Sequence, residues 1–238
     1  MTKKILITGA NGQLGHEMRN ALKGNNRFEC IFTDVAELDI CNAEAVKQTI
    51  ADNHIDYIVN CAAYTQVDRA EDNAELCKKI NTDAVENLAR AAADYGARMI
   101  HISTDYVFNG RGYRPYTEDM TPDPQSIYGS TKLEGEKILT DICPESIIIR
   151  TAWLYSPYGN NFVKTMLHLG EEREELSVVA DQIGTPTCAA DLAQAILVIL
   201  QADTFVPGTY HFSDEGVCSW YDFTVTIHRL AGITTCRV

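Results

Sequence analysis

No run of Lys and Arg longer than a pair occurs in the 238 residues, and the formal net charge is −13 at pH 7. A polyanion is repelled by such a surface, so nucleic acid is excluded as a partner. Long apolar runs are missing too. MTKKILITGANGQ passes from two lysines into a short apolar run that breaks at Gly9, too short for a secretion signal or a membrane span. No membrane partner is expected, and the expected location is cytoplasmic. The eight cysteines (Cys30, Cys41, Cys61, Cys77, Cys143, Cys188, Cys218 and Cys236) include no C-x-x-C pair, and none stands at ligand spacing from the six histidines. A disulfide framework and a zinc site are thereby excluded, no metal-ligating residues are assigned, and the thiols read as buried and reduced. Internal repeats and low-complexity linkers are also lacking.

What is present is alternation. Short β-branched runs, KKILITG, FECIFTD, DYIVNCAA, RMIHISTDYVF and SIIIRTAWLY, are separated by segments with apolar residues at helical spacing. Strands apolar on both faces and separated by helices describe a parallel sheet covered on both sides. The fold class is α/β, a Rossmann-like doubly wound sheet. After about residue 155 the pattern changes, and a second, smaller lobe is expected from 156–177 and 204–238. Residues 1–155 form the dinucleotide-binding domain, with a return to it near 178–203.

The first strand runs into TGANGQLG, placing Gly9, Gly12 and Gly15 at three-residue intervals. Glycines there allow a tight turn and close approach to a pyrophosphate, and the following helix offers free N–H groups to the anion. Asp34 ends the next strand, where a carboxylate accepts hydrogen bonds from the hydroxyls of an adenosine ribose and repels a 2′-phosphate. This favours NADH over NADPH, although a loop arginine such as Arg69 would relax the preference. Asp39 and Ile40 either line the adenine pocket or form a turn into a minor strand.

Tyr128 and Lys132 lie four residues apart in YGSTK. On a helix they share a face, one turn apart. An ammonium about 5 Å from a phenol, at an effective dielectric near 20, is worth roughly 3 kcal/mol, enough to bring a tyrosine from about 10 toward about 8. Such a phenol can protonate a carbonyl oxygen as hydride reaches its carbon. Ser103 and Thr104, at the C-terminal end of the strand HISTDYVF, supply a hydroxyl to orient that carbonyl. Thr104 reads equally as a β-branched strand residue.

The succession TGANGQLG, VNCAAYTQVDRAED, INTDAVENLARAA, HISTDYVFNG and YGSTKLEGE resembles the extended short-chain dehydrogenase/reductase superfamily. Within it, STDYVFNG, RTAWLY and ADQIGTPT are similar to the dTDP-4-dehydrorhamnose reductase family, over nearly the whole chain. The resemblance implies reduction of the C4 ketone of dTDP-4-dehydro-β-L-rhamnose by NADPH or NADH. It implies Thr104, Tyr128 and Lys132 as catalytic residues, with Tyr128 the proton donor and Lys132 on the nicotinamide ribose. Asn11, Gly12, Gln13 and Leu14 fall in the pyrophosphate loop, and Ala62, Ala63, Tyr64 and Thr65 pass under the cofactor. Tyr64 stands where the family commonly has histidine.

On the substrate side the resemblance implies Thr104, Asp105, Trp153 and Gln182, with Gly184 and Thr187 as further candidates. Trp153 reads also as a core tryptophan, and Asn160 and Asn161 as helix-capping residues. Members of the family continue for some dozens of residues past the point matching Val238, so the second lobe is expected to be truncated. A homodimer and Mg²⁺ at a subunit interface are compatible with the family. Two other functions share the resemblance: a nucleotide-sugar epimerase or dehydratase, for which no glutamate accompanies Asp105, and a regulatory subunit like that of methionine adenosyltransferase, which has no need of the Thr104, Tyr128 and Lys132 set.

Overall fold

The computed structural model describes residues 2–238. Strands β1 (Lys3–Thr8), β2 (Phe28–Thr33), β3 (Tyr57–Asn60), β4 (Arg98–Thr104) and β5 (Ile147–Thr151) alternate with helices α1 (Gln13–Ala21), α2 (Ala43–Asn53), α3 (Val67–Asp72), α4 (Ala74–Lys78), α5 (Ala84–Tyr95) and α6 (Ile127–Ile142). A π-turn over Lys79–Asp83 joins α4 to α5. After β5 come β6 (Leu154–Tyr155), α7 (Phe162–Glu172), β7 (Ile183–Gly184), β8 (Thr187–Cys188), α8 (Ala189–Gln201), β9 (Gly208–His211), β10 (Cys218–Ser219) and α9 (Trp220–Ala231).

The main sheet is parallel with strand order β2-β1-β3-β4-β5-β9. The chain runs outward from β1 to β2 and then crosses to β3, so the order reverses between β1 and β3, and ligands of such sheets bind at that switch. Successive strand residues face opposite sides. Leu6, Ile58, Met99 and Ile148 pack under α2 and α5, while Ile5, Ile7, Val59, Ile100, Ile147 and Ile149 pack under α1 and α8. That two-sided burial makes the strands read as unbroken apolar runs.

Three sequence expectations meet a different arrangement. Gly208–His211, assigned above to the second lobe, pairs with β5 at the edge of the main sheet. Residues 183–188, placed in the return to the first domain, instead form β7 and β8, which pair with β10 and β6. The strand expected through Phe108 ends at Thr104 in a 3₁₀ turn over Asp105–Val107, with the Thr104 hydroxyl capping Tyr106 N. The smaller lobe has its own core of Met166, Leu176, Ile227 and Cys236. No helix of the described residues is long and apolar enough to cross a membrane.

Candidate active site

The turn between β1 and α1 closes with Gly12 N donating to Gly9 O at 3.1 Å. A Cβ on Gly15 would lie 2.3 Å from that same carbonyl, so only glycine lets α1 start this close to the strand. Gly12 caps α1 without any side-chain hydrogen bond, leaving the first-turn N–H groups to meet an anion. Leu14 is buried in the core behind this turn. Asp34 Oδ2 accepts from Asn11 N at 2.9 Å and Oδ1 from Val35 N at 2.8 Å. Its carboxylate thus anchors the loop while keeping lone pairs for a ribose. A turn with free N–H groups and an acidic residue beside it fits a dinucleotide.

Other cofactor candidates divide. Asp39 Oδ1 accepts from Cys41 N at 2.9 Å in a turn, and the Ile40 side chain is in the core under α2. Arg69 lies on α3 and bonds Gln66 at 3.1 Å. The Ala62–Thr65 segment follows β3. Ala62 N donates to Asn60 Oδ1 at 3.1 Å, and Asn81 clamps Tyr64 by accepting from its N–H at 2.9 Å and donating to its carbonyl at 3.1 Å. Thr65 is exposed.

Ser126 caps α6 by accepting from Gly129 N at 3.0 Å. Tyr128 and Lys132 follow on the buried face of that helix, and Tyr106 packs edge-on against Tyr128 with ring centroids 5.5 Å apart. Burial pushes the Tyr128 phenol above its ordinary value; the nearby Thr104 hydroxyl pulls the other way without overcoming it. The sequence-based expectation that Lys132 lowers this phenol toward 8 is therefore corrected. Lys132 Nζ turns instead to Ile102 O at 2.6 Å and His101 Nε2 at 3.2 Å. Burial pushes this amine down to about 8, opposed by Glu136. Thr104 Oγ1 donates to Asp105 Oδ1 at 3.2 Å, and burial raises Asp105 to about 6. Ser103 Oγ is buried without a partner.

Asp105 opens onto a cavity of about 660 Å³ at the C-terminal ends of β4, β5 and β9, where Tyr116, Arg150, Gly184 and His211 also stand. That volume lies within the roughly 300–1,000 Å³ of small-molecule sites. Gln182 is exposed outside the cavity lining. Trp153, at φ +48°, stacks on Trp220 with centroids 3.5 Å apart. Gly184 packs on the same indole, and a Cβ there would come within 2.5 Å of it. Thr187 is buried, its N–H donating to Trp153 O at 3.2 Å. Asn160 is exposed, while Asn161 caps α7 by accepting from Lys164 N at 3.1 Å and donates to Gln13 Oε1 at 2.8 Å.

Several residues of the site escape the sequence reading. Asn60, Asn81, His101 and the Glu136–Arg150 pair are all buried. Arg150 meets Glu136 in a bidentate pair, with Nη2 2.6 Å from Oε2 and Nε 3.0 Å from Oε1. The available signal is a polar residue inside an apolar strand, as in YIVN and RMIHIST, because such a group must find a buried partner. Among the described residues no group of three or more His, Cys, Asp or Glu is arranged to hold a metal.

The family described as the RmlD substrate binding domain matches residues 3–238. A dTDP-4-dehydrorhamnose reductase of Escherichia coli (strain K12) is 45% identical, the match covering 96% of this chain and 79% of that protein. The crystal structure of a dTDP-4-dehydrorhamnose reductase from Clostridium acetobutylicum superposes with a TM-score of 0.95 at 50% identity, over 99% of this chain and 82% of that one. The Bacillus anthracis enzyme of the same name, solved in complex with NADP, gives 0.95 at 43% identity, over 100% of this chain and 84% of that one.

Proposed function

The chain belongs to the RmlD substrate binding domain family, and on that premise we propose that it reduces the 4-keto group of dTDP-4-dehydrorhamnose to dTDP-L-rhamnose with NAD(P)H. The observation that carries this reading is the Thr104 hydroxyl at the end of β4, bonded at 3.2 Å to Asp105 on the cavity wall, with Tyr128 on the buried face of α6 packed against Tyr106 of the same turn. Gly12, Gln13 and the first turn of α1 would hold the pyrophosphate, and Asp34 the adenosine ribose. The B. anthracis relative's complex with NADP supports acceptance of the phosphorylated form, so the Asp34 carboxylate is a bias rather than a bar. When bound, the nicotinamide supplies a hydride.

The residues of this chain do the rest. Thr104 orients the ketone oxygen, and Tyr128 gives it a proton as negative charge develops there. A phenol raised by burial keeps its proton through neutral pH. The proton is therefore present at neutral pH, and it transfers downhill once the ketone oxygen takes on alkoxide character, because an alcohol is a weaker acid than a phenol. Lys132 would reach the nicotinamide ribose. On the substrate side, Asp105 lines the cavity and Trp153 belongs to the aromatic cluster of the small lobe. Cytoplasmic location belongs to the same reading, as the setting of a biosynthetic reductase like the relatives above, and a homodimer and Mg²⁺ at its interface are supported by the family resemblance alone.

The test is product formation. Incubation with dTDP-4-dehydrorhamnose and NADPH deuterated at the transferable position should give dTDP-rhamnose carrying deuterium at C4, seen by NMR. Label elsewhere in the sugar, or recovery of an epimerised ketone with no cofactor consumed, would favour the epimerase alternative.

A further inference from the structure

A buried polar chain runs across the sheet from β1 to Lys132, and the mechanism above does not use it. Thr8 Oγ1 donates to Asn60 Oδ1 at 2.7 Å, Asn60 Nδ2 meets His101 Nδ1 at 3.0 Å, and His101 Nε2 meets Lys132 Nζ at 3.2 Å. Asn60 and His101 are fully buried and Lys132 is 1% exposed, so every hydrogen on the chain must find an acceptor inside it.

Donor and acceptor chemistry fixes the direction of each of these bonds. Ala62 N is a backbone group that can only donate, and it points at Asn60 Oδ1 at 3.1 Å. That pins the amide oxygen to the Thr8 side and turns Nδ2, which also can only donate, toward His101. His101 Nδ1 must therefore be the unprotonated ring nitrogen, and a neutral His101 carries its proton on Nε2. Burial holds the His101 pKa well below its usual value, so the ring is neutral. An N–H then points at Lys132 Nζ. An ammonium has only donors and would oppose it, whereas an uncharged amine donates to Ile102 O at 2.6 Å and accepts from Nε2–H with its lone pair. The network closes only for the amine.

We propose that His101 is a positioning residue that controls the charge of Lys132: held by Asn60 as the Nε2–H tautomer, it receives the uncharged amine and turns the ammonium away toward the Tyr128 side. This deepens the reductase reading, on which it rests, since that reading places the Lys132 amine on the nicotinamide ribose. The other groups acting on Lys132 are Cys77 from α4 and, on its own helix, Glu136, already paired with Arg150; Tyr128 stands one turn back on the same buried face. Of these, Glu136 and then Cys77 favour the ammonium, and together they are the counterweight to His101.

Two measurements on the full chain test this without substrate or turnover, so a failed reductase reading leaves them standing. In protein labelled with ¹⁵N-histidine, long-range ¹H–¹⁵N correlations should show His101 as a neutral Nε2–H ring through neutral pH. An Nδ1–H ring or an imidazolium overturns the proposal. In His101→Gln the amide can present its oxygen to the ammonium. The Lys132 titration midpoint, followed by its ¹³Cε signal and assigned by loss in Lys132→Met, should rise by about one pH unit or more. A merely structural histidine leaves that midpoint in place, and an unmoved midpoint overturns the proposal. Should His101→Gln not fold, the wild-type tautomer alone decides.

Discussion

Gln13 Oε1, at the first position of α1, accepts the Asn161 amide at 2.8 Å and the Ser156 hydroxyl at 3.2 Å. Gln13 Nε2 completes the contact by donating to Leu154 O at 3.3 Å. The turn that would hold the pyrophosphate is therefore bonded to the N-cap of α7, the first helix of the small lobe. Whatever orders one side orders the other, and the coupling is reciprocal. Gln13→Ala removes these bonds, each worth about 1 kcal/mol net. We expect NADPH affinity to fall roughly 5- to 30-fold, with the KM for the sugar nucleotide raised as well. Calorimetric titration with NADPH checks the first. In a cycle with Asn161→Ala the two effects should be non-additive by about 0.5–3 kcal/mol, and simple additivity would show that the lobes are not linked here.

Glu136 and Arg150 form a buried pair between α6 and β5, each less than a tenth exposed. Removing one partner strands the other's charge in a medium that solvates it poorly, at a cost of about 3–5 kcal/mol. Glu136→Gln should lower Tm by on the order of 10 °C. Replacing both residues, as Glu136→Leu with Arg150→Met, should recover most of that loss, because the desolvation cost disappears with the charges. Thermal denaturation of the single and paired variants measures both.

Asp105 has a definite pH signature. Its folded pKa of about 6 stands above the roughly 3.9 of an unfolded aspartate, so the folded protein binds more protons between those values. Stability from this group accordingly rises as pH falls from about 6 to about 4, and the cost of ionising it is fully present above 6. Asp105→Asn should be more stable than wild type at neutral pH. The advantage should shrink as pH drops through 6 and vanish near 4. Melting curves of both proteins across that range test it, and an asparagine variant less stable at neutral pH would contradict the assignment.

Local patterns were legible in the sequence and distant ones were not. The glycines of TGANGQLG and the two-sided apolar strands are dictated by neighbours in the chain, and the phosphate turn and sheet follow from them. The place of β9 in the main sheet was hidden, because GTYH is short and partly exposed at a sheet edge and has no apolar run to mark it as a sheet strand. Gln13 and Asn161 stand 148 positions apart, so no spacing rule could pair them. Helical periodicity put Lys132 beside Tyr128 but had no means of seeing His101, which β4 presents from across the fold. The sign of the Tyr128 shift was missed for a related reason: the Coulomb argument used the nearest charge in sequence, while the depth of burial is set by elements far from it.

The central claim is that Tyr128 gives the proton in a nicotinamide-dependent ketone reduction. Its most direct measurement is the loss of reduced-nicotinamide absorbance with dTDP-4-dehydrorhamnose, comparing wild type with Tyr128→Phe at matched NADPH occupancy. The account predicts cofactor consumption by wild type and a rate about two to four orders of magnitude lower in the variant. Equal rates in the two proteins would contradict it.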